Sequence, residues 1–327
     1  MRFGVLGGGS WATALVKILS ENNDKVCWYM RNKNTAKHIR EEGHNPKYLS
    51  SVSFDPNRLF ITHSLEEVIE KSDVLVIAIP SPFLSEVLAK TKNDLKDKIV
   101  FSAVKGIVPE SKLIIGEHLN QHCGVPMDKI GVITGPCHAE EVALEKLSYL
   151  TVACQNITHA ERVADNLSCA YIRTKVSDDI IGTEYAATLK NIYAIAAGMA
   201  HGLGYGDNFQ SVLMSNSIRE MKRFIKKVHK IKRNINNSAY LGDLLVTGYS
   251  TFSRNRMLGN MIGKGYTVKS AIMEMTMVSE GYYAAQTAFL LAKDFNKEFP
   301  IIEAVYAVLY QQKPARKVMS KLCEKLD

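Results

Sequence analysis

At 327 residues the chain is long enough for two domains, each with its own core. Its composition, 46% apolar and 23% charged, matches soluble globular proteins and excludes a disordered or collagen-like chain. The net charge of +8 suits an anionic small molecule or a polyanion, and it says nothing about fold. No apolar run approaches the ~20 residues of a membrane span. Met1-Arg2 enters a strand at once, with no separate leader. A cytoplasmic protein without integral membrane contact is expected. The six cysteines, Cys27, Cys123, Cys137, Cys154, Cys169 and Cys323, form no C-x-x-C pair and read as buried or free thiols.

Arg2–Leu6 has the pattern of a short buried strand. It runs into Gly7-Gly8-Gly9-Ser10-Trp11-Ala12, and Trp11, Ala14, Leu15, Ile18 and Leu19 then recur at helical spacing. Strand, glycine turn and helix in that order are the setting of a dinucleotide fingerprint. Gly7 permits the tight turn, and Gly9 lets the backbone approach a pyrophosphate. Ala12 is small enough for the helix to pack on the strand. The N–H groups and the dipole at the helix start favour phosphate. The bland alternative is a glycine turn that binds nothing.

The second strand, Lys25–Met30, ends in Arg31-Asn32-Lys33 with no acid to grip a ribose 2′-hydroxyl. Arg31 could pair with a 2′-phosphate, which suits NADP(H), with NAD(H) the alternative. Asp73–Ile79, Lys98–Val104 and Lys129–Thr134 are near-continuous apolar runs. Such runs mark parallel strands covered on both faces. Their ends carry Pro80-Ser81-Pro82, Lys105-Gly106 and Gly135-Pro136, at the carboxyl ends of the strands, where open α/β sheets bind ligands. A lysine there suits an anionic or carbonyl substrate. Ala139–Lys146 reads as a helix, and Ser148–Cys154, His159–Leu167 and Tyr171–Arg173 continue the strand–helix–strand alternation. His118 and His122 stand i,i+4, but Leu119 replaces the Glu of a zinc-protease helix, so no metal is expected.

Thr174–Asp179 turns polar and acidic and reads as the domain boundary, and the period beyond it is helical. A helix of about Asp179–Leu203 carries Lys190 among Ala186, Ala187, Ala194, Ala196 and Ala197. Such company makes Lys190 a candidate for desolvation and a lowered pKa; a snorkelling lysine at a helix edge is the alternative. Phe209–Lys230 is amphipathic and ends in Lys222, Arg223, Lys226, Lys227 and Lys230, followed by Lys232 and Arg233. The cluster raises nucleic acid or a membrane surface. Complementing a helix C-terminus is the simpler account, and no aromatic residues interleave it for base stacking, so no nucleic-acid partner is expected. Ser253-Arg254-Asn255 is a dense donor set for phosphate oxygens, with Ser253 also a candidate N-cap. The chain from Thr267 on is helical.

Taken together, Gly7–Leu15, Asn45–Leu49, Ala78–Pro82, Ala103–Gly106, Gly135–Glu140, Leu189–Gly198, Gly204–Asn208, Gly242–Thr247, Ser253–Arg256 and Val278–Gly281 resemble the bacterial type of NAD(P)-dependent glycerol-3-phosphate dehydrogenase over nearly the full length. The resemblance implies an α/β architecture: an N-terminal Rossmann doubly wound parallel sheet, residues 1–176, followed by an all-helical C-terminal domain, residues 177–327, with the active site between them. It implies reversible reduction of dihydroxyacetone phosphate to sn-glycerol 3-phosphate, a phospholipid precursor, with NADP(H) or NAD(H). Lys190 matches the proton donor and acceptor. Lys105, Gly135, Cys137, Lys190, Asp243, Ser253, Arg254 and Asn255 match substrate positions. Gly7, Gly9, Ser10, Trp11, Arg31, Tyr48, Lys105, Ala139, Arg254, Val278 and Glu280 match cofactor positions.

Four departures stand out, the unusual basic segment Lys222–Arg233 among them. Ala12 replaces the usual Gly, Cys137 replaces a Ser or Thr, and Asn236–Leu241 lacks the usual glycines. The rival readings are a β-hydroxyacid dehydrogenase of the same architecture and a nucleotide-sensing regulator that binds NADP(H) without turnover. A homodimer is the base-rate expectation.

Overall fold

The computed structural model describes residues 1–91, 94–275 and 277–327. The chain forms two compact units: residues 1–104 with 113–180, and residues 105–112 with 181–327. Segment 105–112 therefore leaves the sheet-bearing half of the sequence and folds with the helical one.

The first unit is built on an eight-stranded sheet. Its strands are β1 (Phe3–Leu6), β2 (Val26–Tyr29), β3 (Leu59–Thr62), β4 (Val74–Ile77), β5 (Ile99–Ser102), β6 (Ile130–Thr134), β7 (Ser148–Cys154) and β8 (Ile172–Ser177). They lie in the order β8-β7-β6-β5-β4-β1-β2-β3. The run 3-2-1-4-5 is the Rossmann order, and its switch point lies between β1 and β4. Phe3 pairs with Val26 on one side and with Val74 on the other, both in parallel. Both faces are covered, as the apolar runs require. Phe3 and Val5 pack in the core with Leu15 and Ile18 of α1 (Ser10–Asn22). On the opposite face, a Cβ on Gly4 would meet Ser72 and Val68 beside α3 (Leu65–Lys71).

Three expectations need correction. The sheet is not wholly parallel, because β7 runs antiparallel to β6. The link between them carries only α6, Ala139–Ala143, not the helix to Lys146. Five residues rise about 7.5 Å, too short for a crossover back along the strand, so the chain returns beside it. The helix stops where Glu145 takes φ +55°. Thr174–Ser177 is strand rather than linker. It lies in the outermost strand, half open to solvent, so polar residues there satisfy a ladder and imitate a loop.

In the second unit α8 (Ile180–Gly202) is buried from Gly182 to Ala200. A helix buried on every side is a core helix. It crosses α11 (Arg254–Gly263) backbone to backbone. A Cβ on Gly198 would stand 2.0 Å from the Arg256 carbonyl oxygen, and one on Gly259 2.0 Å from that of Ile195. Only glycine allows this approach, and it brings the start of α11 against the helix that carries Lys190.

The Asn236–Leu241 stretch leads into a π-helical turn, Ser238–Gly242, which continues as α10 (Asp243–Tyr249). Helix α9 spans Asp207–Val228. Its Glu220, 1% exposed, accepts hydrogen bonds from Ile301 and Ile302 N–H, both at 3.0 Å, at the start of α14 (Pro300–Leu309). Burial pushes this carboxyl up to about 7, against the two N–H donors.

Candidate active site

At the end of β1, Gly7 takes φ +137°, and a Cβ there would lie 2.5 Å from the Ala78 carbonyl oxygen beyond β4. The turn at the switch point therefore requires glycine. Gly9 precedes α1 in extended conformation without a side-chain cap, and its Cβ position has no atom within 4 Å. The space beside Gly9 at the start of α1 is thus open, which fits a pyrophosphate approaching the helix start. Ser10 is buried as the first residue of α1 and Trp11 is half-buried. Arg31 is exposed just past β2, and no acid follows that strand, which fits a 2′-phosphate.

Two residues of this cradle had no role assigned from sequence. The indole N–H of buried Trp28 donates to the Gly7 carbonyl at 2.7 Å. Fully buried Asn45 donates to Gly8 O at 3.3 Å and to Thr13 Oγ1 at 2.9 Å. Its Oδ1 accepts from Lys47 and Tyr48 N–H. Asn45 thereby ties the loop of half-buried Tyr48 to the glycine turn. An Asn before Pro46 was the available signal, since such residues form local turns. Trp28 gave none beyond its place in a buried strand. Elsewhere in this unit, Gly135 ends β6 at φ +120°, Cys137 is buried, and Ala139 opens α6.

The second unit gathers three charged groups. Lys190, 4% exposed on α8, pairs with Oδ1 of Asp243, itself 1% exposed. Lys105 Nζ lies 3.7 Å from Oδ2 of the same carboxylate. Asn191 Nδ2 donates to the Lys105 carbonyl at 2.7 Å and fixes that segment on α8. Two amines therefore flank one carboxylate. Burial lowers Lys190 to about 7, with Lys105 helping and Asp243 opposing. The desolvated reading of Lys190 holds, and the snorkelling one does not.

Ser253 caps α11, its Oγ accepting from Arg256 N–H at 3.3 Å. Arg254, half-buried, places Nη1 3.9 Å from Met277 Sδ. Asn255 Oδ1 accepts from Ser279 Oγ at 2.7 Å and Gly281 N–H at 2.9 Å. It pins the stretch of Val278 and Glu280 at the start of α13 (Glu280–Lys293). A Cβ on Gly281 would press on the Asn191 carbonyl at 2.7 Å. Ser279 and Gly281 so hold Asn255, a role sequence did not show. His118 and His122 share α5 (Ile115–Cys123) with ring centroids 4.8 Å apart.

A Rossmann switch-point cradle, carried in one chain with a buried lysine able to exchange a proton near neutral pH, defines a dinucleotide-linked oxidoreductase. Family models narrow the class. Residues 2–160 match the N-terminus, and residues 179–320 the C-terminus, of NAD-dependent glycerol-3-phosphate dehydrogenase. A glycerol-3-phosphate dehydrogenase [NAD(P)+] of Listeria monocytogenes is 36% identical over 321 residues, 97% of this chain and 94% of the relative. One from Bacillus subtilis is 36% identical, covering 94% and 89%. The glycerol-3-phosphate dehydrogenase structure from Coxiella burnetii superposes with TM-score 0.91 at 27% identity, covering 99% and 98%. The chain belongs to the NAD-dependent glycerol-3-phosphate dehydrogenase family. A D-mandelate dehydrogenase structure, at 14% identity and TM-score 0.62, shares the fold alone.

Proposed function

We propose that this chain catalyses the reversible NAD(P)H-dependent reduction of dihydroxyacetone phosphate to sn-glycerol 3-phosphate. The observation that carries the reading is the two amines about the buried carboxylate of Asp243, buried Lys190 and half-buried Lys105. When bound, the nicotinamide supplies the hydride for reduction at the substrate C2 and takes it back in the reverse direction. Lys190 Nζ gives its proton to the C2 oxygen as negative charge develops there, and recovers it in oxidation. Lys105 adds positive charge near that oxygen, which stabilises it in a site with little water. Asp243 holds both amines in place and keeps Lys190 from losing its proton too readily.

Ser253, Arg254 and Asn255 hold the phosphate at the start of α11. Asn255 donates through its NH2, because Ser279 and Gly281 occupy its oxygen. Remote phosphate binding then positions the carbonyl. Gly135 and Cys137 complete the substrate set, with the thiol standing in for a hydroxyl.

Gly7, Gly9, Ser10, Trp11, Arg31, Tyr48 and Ala139 hold the cofactor in the first unit. Lys105, Arg254, Val278 and Glu280 hold it in the second. Residues 1–176 thus supply most of the nucleotide contacts together with Gly135, Cys137 and Lys105 of the substrate set, and residues 177–327 supply Lys190, Asp243 and the phosphate donors. The absence of an acid after β2 favours NADPH over NADH. The product supplies glycerophospholipid synthesis from the cytoplasm, and the protein acts as a homodimer. Among the described residues no helix is long and apolar enough to cross a membrane.

Adding dihydroxyacetone phosphate to protein and NADPH tests the reading. NADPH absorbance should fall, with glycerol phosphate competing and hydroxy acids not. Loss of absorbance only with a 2-keto or 3-keto acid would instead favour the hydroxyacid reading, and no loss with any ketone would favour the regulator.

A further inference from the structure

Residues 219–233, at the end of α9 and just beyond, hold eight lysines and arginines and one carboxylate, Glu220, which is buried. They account for nearly all of the chain's net charge of +8. The arginines are engaged within the unit: Arg219 pairs with Asp327, Arg223 donates to the Glu298 carbonyl, and Arg233 to that of His229. The lysines differ. Lys222, Lys226, Lys227, Lys230 and Lys232 are all exposed, and among the described residues none has an ion pair.

Complementing the macrodipole accounts for Lys226 and Lys227 in the last turn of α9. It does not account for Lys222, more than a turn earlier, or for Lys230 and Lys232 beyond the helix end. Lys222 and Lys226 stand i,i+4 and repel each other with no carboxylate between them. With no ion pair to its lysines among the described residues, this face is open to an external anion. Ile231, 41% exposed, sits between Lys230 and Lys232. Of the rings in the stretch, Phe224 is fully buried and half-buried His229 is engaged with Arg233, so no Phe, Tyr or Trp platform is exposed to stack on a base.

We propose that this lysine face docks the protein reversibly on an anionic phospholipid surface. The lysines face the headgroups, and Ile231 enters among them. Clusters of four to eight basic residues on an amphipathic helix bind such surfaces, and an apolar side chain at the interface adds to the attraction.

Co-sedimentation with vesicles tests this independently of turnover. The protein should pellet with phosphatidylcholine vesicles containing phosphatidylglycerol, remain free with phosphatidylcholine alone, and be released by added salt. Combining K226Q, K227Q, K230Q and K232Q should weaken vesicle binding ~10²-fold or more while leaving turnover in solution unchanged. Ile231→Ser should weaken it several-fold without changing its salt dependence. Equal partition to neutral vesicles, no pelleting with anionic ones, or undiminished binding by the quadruple variant would overturn the proposal. So would release of the protein from anionic vesicles by duplex RNA at equal phosphate concentration, which would assign the face to nucleic acid.

Discussion

The two units carry chemistry in opposite ways. In the first, the cradle is made of backbone: an open Gly9, a turn that only Gly7 can make, and helix N–H groups, all within Gly7–Trp11. In the second, the cluster is made of side chains drawn from three distant segments, with Lys190 and Asp243 separated by 53 positions. A backbone site is set by local conformation and tolerates change around it. A side-chain site is set by packing, and its pKa values depend on every member. Substitutions should therefore act on nucleotide affinity in the first unit, and on proton transfer in the second.

The largest break should come from Lys190→Met. Turnover should drop ~10²–10⁴-fold, the range for a lost general acid, with the cofactor dissociation constant nearly unchanged. Steady-state rates alongside cofactor titration by fluorescence would check it. Near-normal turnover would remove Lys190 from the reaction.

Next in size is a stability effect. Glu220 is raised to about 7 in the fold from an ordinary carboxylate value. Between those two values the folded state binds more protons than the unfolded state, so this group's contribution declines as pH rises through that window. Glu220→Gln mimics the protonated form. Measured against wild type by urea unfolding, it should gain on the order of 3 kcal/mol between about pH 5 and pH 8. A difference independent of pH would show that Glu220 does not titrate there.

Asp243→Asn sharpens the contrast within the cluster. The carboxylate raises the Lys190 pKa, so its loss should move the pH at which reduction fails below about 7. Rate–pH profiles of variant and wild type would reveal an unmoved break if Asp243 has no such influence.

The smallest effect belongs to the first unit. Trp28→Phe keeps an aromatic ring but removes the hydrogen bond to Gly7. At about 1 kcal/mol for that bond, cofactor KM should rise several-fold with kcat and the KM for dihydroxyacetone phosphate unchanged. Equal changes in both KM values would assign Trp28 to general stability.

The same division decides what could be read from sequence. Strand β1, the glycine turn and α1 were legible because adjacent residues dictate that conformation. The long α8 was legible from its period. Lys190 was ambiguous by itself: small neighbours allow burial but do not name what the amine meets, and resemblance to a family supplied its role. Asn191 was invisible as a clamp, because its partner is the carbonyl of Lys105, 86 positions away. The strand at Thr174–Ser177 and the early stop of α6 were misread for a different reason. One lies at a sheet edge where polar residues are stable, and the other ends through a positive φ at Glu145 that composition does not signal.

The pH dependence of kcat/KM for dihydroxyacetone phosphate reduction, in wild type and in Lys190→Met, tests the central claim most directly. An acid must hold its proton to act, so the wild-type rate should fall above about 7, glycerol 3-phosphate oxidation should rise through the same pH, and the variant should show neither break. A reduction rate that stays level or climbs from about pH 6 to pH 9, or a break that persists without Lys190, would contradict the account.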